Sequence, residues 1–221
     1  VTTGVVLTNV VGILDYGFYT TTLDIDAANV PGRTANRSAS PSATPLPEEL
    51  TVASFNLERF FDTVDDPSTS DVALTTTAFN NRLSKASLSI RIALNSPDIL
   101  AVEEMENLAT LQAVATRVNN DAVAAGQPNP AYQPYLVEGN DIGGIDVGFL
   151  IKSSKVTVID VNQVGKTATY VIPTNGQSEI IFDRPPLVLR ATATRPGSSN
   201  PLPITVIALH LRSLTGVDSP G

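Results

Sequence analysis

An α+β fold, with a mixed sheet or a pair of packed sheets flanked by helices, is what this sequence predicts. Two patterns carry the prediction. Two amphipathic helical periodicities fall between Phe79 and Ala122, and strand-like runs separated by turn residues follow them to the end of the chain. Helices come early and strands late, without strict strand–helix alternation, so a doubly wound parallel sheet is the poorer fit. Composition agrees with a packed domain. Of 221 residues, 42% are hydrophobic and 16% charged, a globular rather than a disordered balance. The length suits one well-buried domain, or one domain with a fragment of another.

Taken in order, residues 1–30 read as short strands. Gly4 to Val11 and Gly12 to Leu23 mix β-branched, aliphatic and aromatic residues with glycine breaks. Residues 31–49 are rich in Pro, Ser and Ala and offer almost nothing to bury. They read as a linker, or as a long surface loop within one domain. Thr51 to Leu57 is a strand. Phe79, Leu83, Ala86, Ile90 and Ala93 recur at spacings of three and four and predict a helix. Pro97 stops it, since proline cannot continue the ladder and biases Ser96 away from helix. Asp98 to Val102 is then a buried strand. Leu108, Leu111, Ala115, Val118 and Ala122 predict a second helix, ended by Gly126-Gln127-Pro128. Strands follow at Ala131–Glu138, Ile145–Lys152, Lys155–Val161, Ala168–Ile172, Leu187–Thr194 and Ile204–Leu211. Turn signals at Gly143-Gly144, Ser153-Ser154, Asn175-Gly176 and Pro196-Gly197 separate them.

Composition also excludes chemistries. There is no cysteine, which removes disulfide scaffolds and Cys-based zinc sites, and one histidine, His210, which removes multi-histidine metal sites. That histidine is the natural group for acid–base work near neutral pH. The net charge of −8 repels polyanions at long range. It argues against non-specific coating of DNA, which needs several phosphate contacts from Lys or Arg, but not against a hydrolase whose metal ion recruits phosphate locally. No apolar run reaches the ~18–20 residues of a membrane span. A first residue of Val rather than Met reads as processing or excision from something longer.

Three polar residues stand where predicted strands end: Asn56 after TVASF, Glu104 after DILAVE, and His210 after ITVIAL. A strand end puts such side chains at the rim of a sheet, where sites often form. Carboxylate and amide oxygens are hard ligands suited to Mg²⁺ or Mn²⁺. Each residue has an ordinary alternative. Asn56 reads as a turn or capping residue, Glu104 as part of a solvated, acidic helix start, and His210 as a structural histidine.

The segments SFNLERFFDT, PDILAVEEMEN, GIDVGFLIK, FDRPPLVL and ITVIALHLRS occur in that order between residues 54 and 213. Together they resemble the endonuclease/exonuclease/phosphatase (deoxyribonuclease-I-like) superfamily, in its bacterial extracellular-nuclease-like branch, over about three quarters of the chain. The resemblance implies a four-layered sandwich of two mixed, mainly antiparallel sheets with helices outside. It also implies metal-dependent hydrolysis of phosphate esters, with Mg²⁺ or Mn²⁺ as cofactor and nucleic acid as substrate. Position by position, it implies that Glu104 binds the metal and that Asn56 helps organise the metal and phosphate site. It implies that Arg184 contacts a backbone phosphate and that His210 acts near the scissile phosphate. Glu106 and Asn107 resemble supporting residues around the site. Asp146 is a candidate to orient His210 by hydrogen bonding. Arg212 reads as a phosphate contact or a partner for a surface acid. Glu103 departs from the family's Gln-Glu pair and adds negative charge beside the site. Gly143-Gly144 stands where some members carry an arginine. Residues 1–30 resemble the end of a β-rich module that precedes the catalytic domain, or else are its first hairpin.

The family pattern continues with Gly-Asp-x-Asn, a later Asp and Ser-Asp-His, none of which occurs before Gly221. The expectation is therefore the front part of a catalytic domain over residues 50–221, nearly inactive by itself. Two alternatives stay open: a phosphoesterase of the same fold acting on a phospholipid or inositol phosphate, and a non-catalytic binding module. Export to the periplasm or medium, and self-association through an exposed sheet edge, complete the expectations.

Overall fold

The computed structural model describes residues 6–17, 20–34, 41–194, 196–197 and 199–211. The chain divides into two compact units, residues 1–40 and residues 41–221. In the first, β1 (Val6–Thr8) pairs antiparallel with β4 (Gly32–Thr34), and β2 (Gly12–Gly17) forms an antiparallel pair with β3 (Thr20–Ile25). Gly12 lies so close to the facing strand that an added Cβ would meet the Asp24 carbonyl oxygen at 2.2 Å, so no other residue fits there. The linker expected to open at residue 31 meets a strand at Gly32–Thr34, because those residues complete the ladder of β1.

The second unit is built on a four-stranded mixed sheet in the order β5-β6-β8-β7. Its members are β5 (Val52–Phe60), β6 (Ile99–Met105), β7 (Tyr132–Leu136) and β8 (Asp146–Lys152). β5 and β6 run parallel, and β8 is antiparallel to both β6 and β7. The parallel pair needs a crossover, which α1 (Thr76–Leu88) supplies. Thr75 caps its start, its hydroxyl accepting from the Ala78 N–H at 3.2 Å. The helix predicted to reach Ala93 does continue, but as a π-helical turn over Ser89–Ala93. α2 (Leu108–Ala124) leads from β6 to β7. A second sheet, in the order β13-β12-β9, is antiparallel throughout: β9 (Val156–Gln163), β12 (Leu187–Ala193) and β13 (Leu202–Ala208). Between β9 and β12 the chain makes a small hairpin, β10 (Thr169–Val171) and β11 (Ser178–Ile180).

β6 shows why the sheets stack. Leu100 and Val102 face one core with Leu111, Val114 and Ile90 of the helical layer. Ile99 and Ala101 face a second core with Phe149, Val156, Leu187 and Leu189. A strand buried on both faces reads as an unbroken apolar run, as DILAV does. The architecture is therefore α+β with a mixed sheet sandwiched between helices and a second sheet. Among the described residues it has three layers. The fourth layer implied by the family resemblance, helices outside the second sheet, is absent from them. No helix of the described residues is long and apolar enough to cross a membrane.

Candidate active site

Two facing irregularities at one end of the mixed sheet create the site. Asn56 pairs with Glu103, and the next aligned pair is Phe60 with Met105, so Leu57, Glu58 and Arg59 oppose Glu104 alone. On the other side of β6, Glu103 pairs with Val147 and Met105 with Asp146, leaving Glu104 as the extra residue of a bulge. Glu58, Arg59 and Glu104 all have left-handed backbones (φ 57°, 50° and 60°). None is glycine, and each such conformation costs on the order of 1–3 kcal/mol. Bulges re-aim side chains, and this one aims Glu104 away from the ladder. Asn56 and Glu104 thus lie within their strands, where strand ends were expected. The irregular pairing, rather than termination, frees them.

The Glu104 carboxylate is held at both oxygens. Asn56 Nδ2 donates to Oε1 at 2.9 Å, and the Arg59 N–H donates to Oε2 at 2.8 Å. The Asn56 side chain is fixed in turn by the Glu58 N–H, which donates to Oδ1 at 2.7 Å. The two left-handed residues turn these backbone donors toward the site. His210, just beyond β13, places Nε2 3.6 Å from Glu104 Oε1. Burial works to raise the Glu104 carboxyl. The hydrogen bonds from Asn56 and Arg59 outweigh it, helped by the neighbouring His210 and Arg184, and hold the group below its usual range. Glu104 therefore stands ionised, partly open to solvent, with one lone pair free on each oxygen. The structure brings Asn56, Glu104 and His210 together.

The other candidates take different places. Arg184 is not free. Its Nη1 pairs with Asp141 Oδ2 at 2.8 Å, while Nε and Nη2 donate to the carbonyls of His210 (3.4 Å) and Leu211 (3.3 Å). It tethers the His210 segment. Asp146 does not orient His210. Its Oδ1 accepts from the Gly139 N–H at 2.8 Å, and His210 Nδ1 is buried without a partner among the described residues. Burial first, then the nearby Glu138 and Asp141, push the Asp146 carboxyl up to about 7. Gly139 is required here, since a Cβ would lie 2.5 Å from Asp146 Oδ1. Asn107 is the N-cap of α2, its Oδ1 accepting from the Thr110 N–H at 2.8 Å. Glu106 turns away from Glu104 and accepts from the Asp62 N–H (2.6 Å) and the Thr110 hydroxyl (3.1 Å). Burial pushes it up to about 6, with the Asp62 charge adding to the rise. Arg212 lies outside the described residues. Glu103, the departure in sequence, is buried and accepts from the Ser54 hydroxyl at 2.6 Å, so its side chain stays inside the sheet.

Besides a cavity of about 220 Å³ lined by Arg184, Leu209 and His210 among others, two more among the described residues bear on the site. One, of about 420 Å³, is acidic, lined by Asp66, Glu106, Glu138, Asp141 and Asp146 among others. The other, of about 550 Å³, is lined by Asn56, Glu58, Arg59, Arg82, Lys85 and Ser89 together with apolar residues. Sequence reasoning missed Asp141, whose role depends on a partner 43 residues away. It also missed the Arg59 backbone and the Arg82–Lys85 face of α1. The Arg82 and Lys85 signal was present as an i, i+3 pair on a predicted helix.

No protein-family model matches the chain, and no curated protein matches it either. Among solved structures the chain is similar to a humanized D. rerio TDP2 carrying 14 mutations (18% identity, 76% of this chain and 53% of that one, TM-score 0.38). It is similar to D. rerio TDP2 complexed with a single-strand DNA product (17%, 77% and 56%, TM-score 0.35). A third likeness is to an endonuclease/exonuclease/phosphatase family protein from Bacteroides thetaiotaomicron (14%, 72% and 49%, TM-score 0.38). The chain spans about half the length of the solved chains it matches.

Proposed function

We propose that Glu104, Asn56 and His210 form the metal- and phosphate-binding side of a phosphodiester hydrolase whose substrate is nucleic acid. The observation that carries this reading is the strained, doubly hydrogen-bonded Glu104 carboxylate beside the chain's one histidine. Left-handed non-glycine backbone of this kind persists where the surroundings enforce it.

The donor set fits a hard divalent cation. Glu104 offers a fixed, ionised carboxylate with free lone pairs and partial access to water. Asn56 Oδ1 keeps one lone pair. Mg²⁺ commonly uses one or two carboxylates and fills its remaining positions with water and substrate phosphate. The described residues hold no cluster of three or more His, Asp or Glu side chains that would chelate an ion alone, so this one-carboxylate mode is the one available. A cation bound there would neutralise charge on a phosphoryl oxygen.

The chain's own residues would do the rest as follows. Asn56 and the Arg59 N–H keep the carboxylate aimed. His210 Nε2 presents a donor to a non-bridging or leaving oxygen when protonated. Water attacks phosphorus, the P–O ester bond breaks, and the leaving oxygen takes a proton. The proton of the attacking water passes to solvent, and the leaving oxygen takes the one from His210 Nε2.

Calorimetric titration with Mn²⁺ tests the reading directly. The chain is expected to bind one ion, Glu104→Gln to lose it, and Asn56→Ala to weaken it by roughly tenfold, as loss of a ligand-orienting bond does. Equal Mn²⁺ binding by the wild-type chain and Glu104→Gln would defeat it. Cleavage of single-stranded DNA measured against a choline phospholipid separates the nuclease reading from the lipid one.

A further inference from the structure

Resting on that reading, we propose that the groove lined by Arg59, Arg82 and Lys85 is a track for the phosphodiester backbone of a nucleic-acid strand, leading away from Glu104. Four observations support it. The groove's lining includes Asn56, the residue that orients the Glu104 carboxylate. Arg82 and Lys85, at i and i+3, share one face of α1, with Ser89 one turn beyond Lys85. Against these cations the lining offers one acid, Glu58. Among the described residues, Arg59, Arg82 and Lys85 form no ion pair, and neither do Arg33 and Lys166, whereas Arg91, Arg117, Lys152, Lys155, Arg184 and Arg190 all do.

The cations are also placed with care. Arg82 Nη2 donates to the Leu57 carbonyl at 3.0 Å and to the Glu58 carbonyl, and its guanidinium lies over the Phe60 ring with the centroid 5.0 Å away. This pins the left-handed segment of β5 and leaves Nε and Nη1 for a ligand. The Arg59 guanidinium lies 5.4 Å from the Phe61 centroid. A guanidinium on an aromatic face is held in orientation while its donors stay available. Lys85 is exposed on the helix.

Charge distribution makes the groove distinctive. The chain carries a net charge of −8, and the cavity of about 420 Å³ is lined by five acids. A polyanion is repelled at long range and excluded from that acidic cavity. It can settle where unpaired cations act within a Debye length, about 8–10 Å. A small phosphate monoester would be satisfied at Glu104 and His210 alone. Cations continuing along α1 suit a ligand with several phosphates in series.

The test measures anisotropy of fluorescein-labelled oligo(dT) strands of 4 and 12 nucleotides at a series of NaCl concentrations. Three phosphate contacts predict a slope of log affinity against log salt of about −2, and each contact removed lowers its magnitude by about 0.7. Lys85→Gln and Arg59→Gln are therefore each expected to flatten the slope by that amount. Both leave backbone bonds and the Arg82 clamp intact. Arg190→Gln, on the second sheet, is expected to leave the slope unchanged. The 12-mer should bind at least tenfold tighter than the 4-mer. No length dependence, or an unchanged slope in both groove variants, overturns the inference even if Glu104→Gln still abolishes Mn²⁺ binding. Loss of slope in the groove variants alongside Mn²⁺ binding indifferent to Glu104 would instead uphold the track and remove the metal site.

Discussion

Asp146 illustrates how much one buried carboxyl shapes the pH response. It is 6% exposed, faces Glu138 and Asp141, and receives one backbone hydrogen bond from Gly139, with Lys166 the nearest compensating charge. Its folded value is raised to about 7 from 3.8. A raised acid binds its proton more tightly when folded, so its contribution to stability is present at low pH and is lost as pH rises from about 4 through 7. Asp146→Asn retains an oxygen for the Gly139 N–H and has no proton to lose. Thermal denaturation is expected to show Tm raised by about 5 °C at pH 8 and unchanged at pH 3. A gain equal at both pH values would mean that burial does not hold the proton. Arg184 shows the converse: a residue whose family likeness points to phosphate is here committed to Asp141 and to two carbonyls.

At the scale of elements, the helix layer and the bulged strands are matched by small residues. Gly148 in β8 has a negative φ and no turn to make, yet a Cβ there would lie 2.8 Å from Leu111 Cδ2 and 2.9 Å from the Tyr135 carbonyl. It is what lets α2 sit on the mixed sheet. Gly148→Ala is expected to cost roughly 1–3 kcal/mol by overpacking, read as a lower urea midpoint with an unchanged m-value. A stability equal to wild type would show that Leu111 has room to move. The two amphipathic periodicities, the Pro97 stop and the apolar runs of β6 and β8 are legible in the sequence, because side-chain spacing is a one-dimensional property. The β11 strand is not legible there, because Ser178–Ile180 pairs only with the short β10 and buries little.

For the second unit as a whole, Asp98 joins its layers. It is 3% exposed and accepts from the Thr51 N–H and hydroxyl, both at 2.9 Å. It pairs with Lys152 at 3.4 Å, and with Lys155, in the turn from the mixed sheet into the second sheet, at 3.1 Å. Burial opposes its charge, but the Thr51 bonds and the two lysines hold its carboxyl below the usual value. A lowered acid contributes stability above about pH 4 that is lost as pH falls through its folded value. Asp98→Ala strands two partly buried lysines and should cost about 3–5 kcal/mol at pH 7. Chemical denaturation at pH 7 and pH 3 checks this, with the penalty expected to shrink at the lower pH. A penalty independent of pH would assign the loss to packing alone.

By itself the sequence determined the α+β class and the order and approximate extent of most elements, and it singled out Asn56, Glu104 and His210 as candidates. Periodicity, turn residues and polar residues interrupting apolar runs are local signals, carried by neighbours along the chain. Only the tertiary structure decided what the remaining candidates do. Whether Arg184 meets a phosphate or Asp141, whether Asp146 meets His210 or Gly139, and whether Arg59, Arg82 and Lys85 converge depend on contacts between residues far apart in the chain. The bulge that frees Glu104 is likewise a mismatch in count between two strands 48 residues apart. Neither strand records that mismatch alone, because register is a property of the pair.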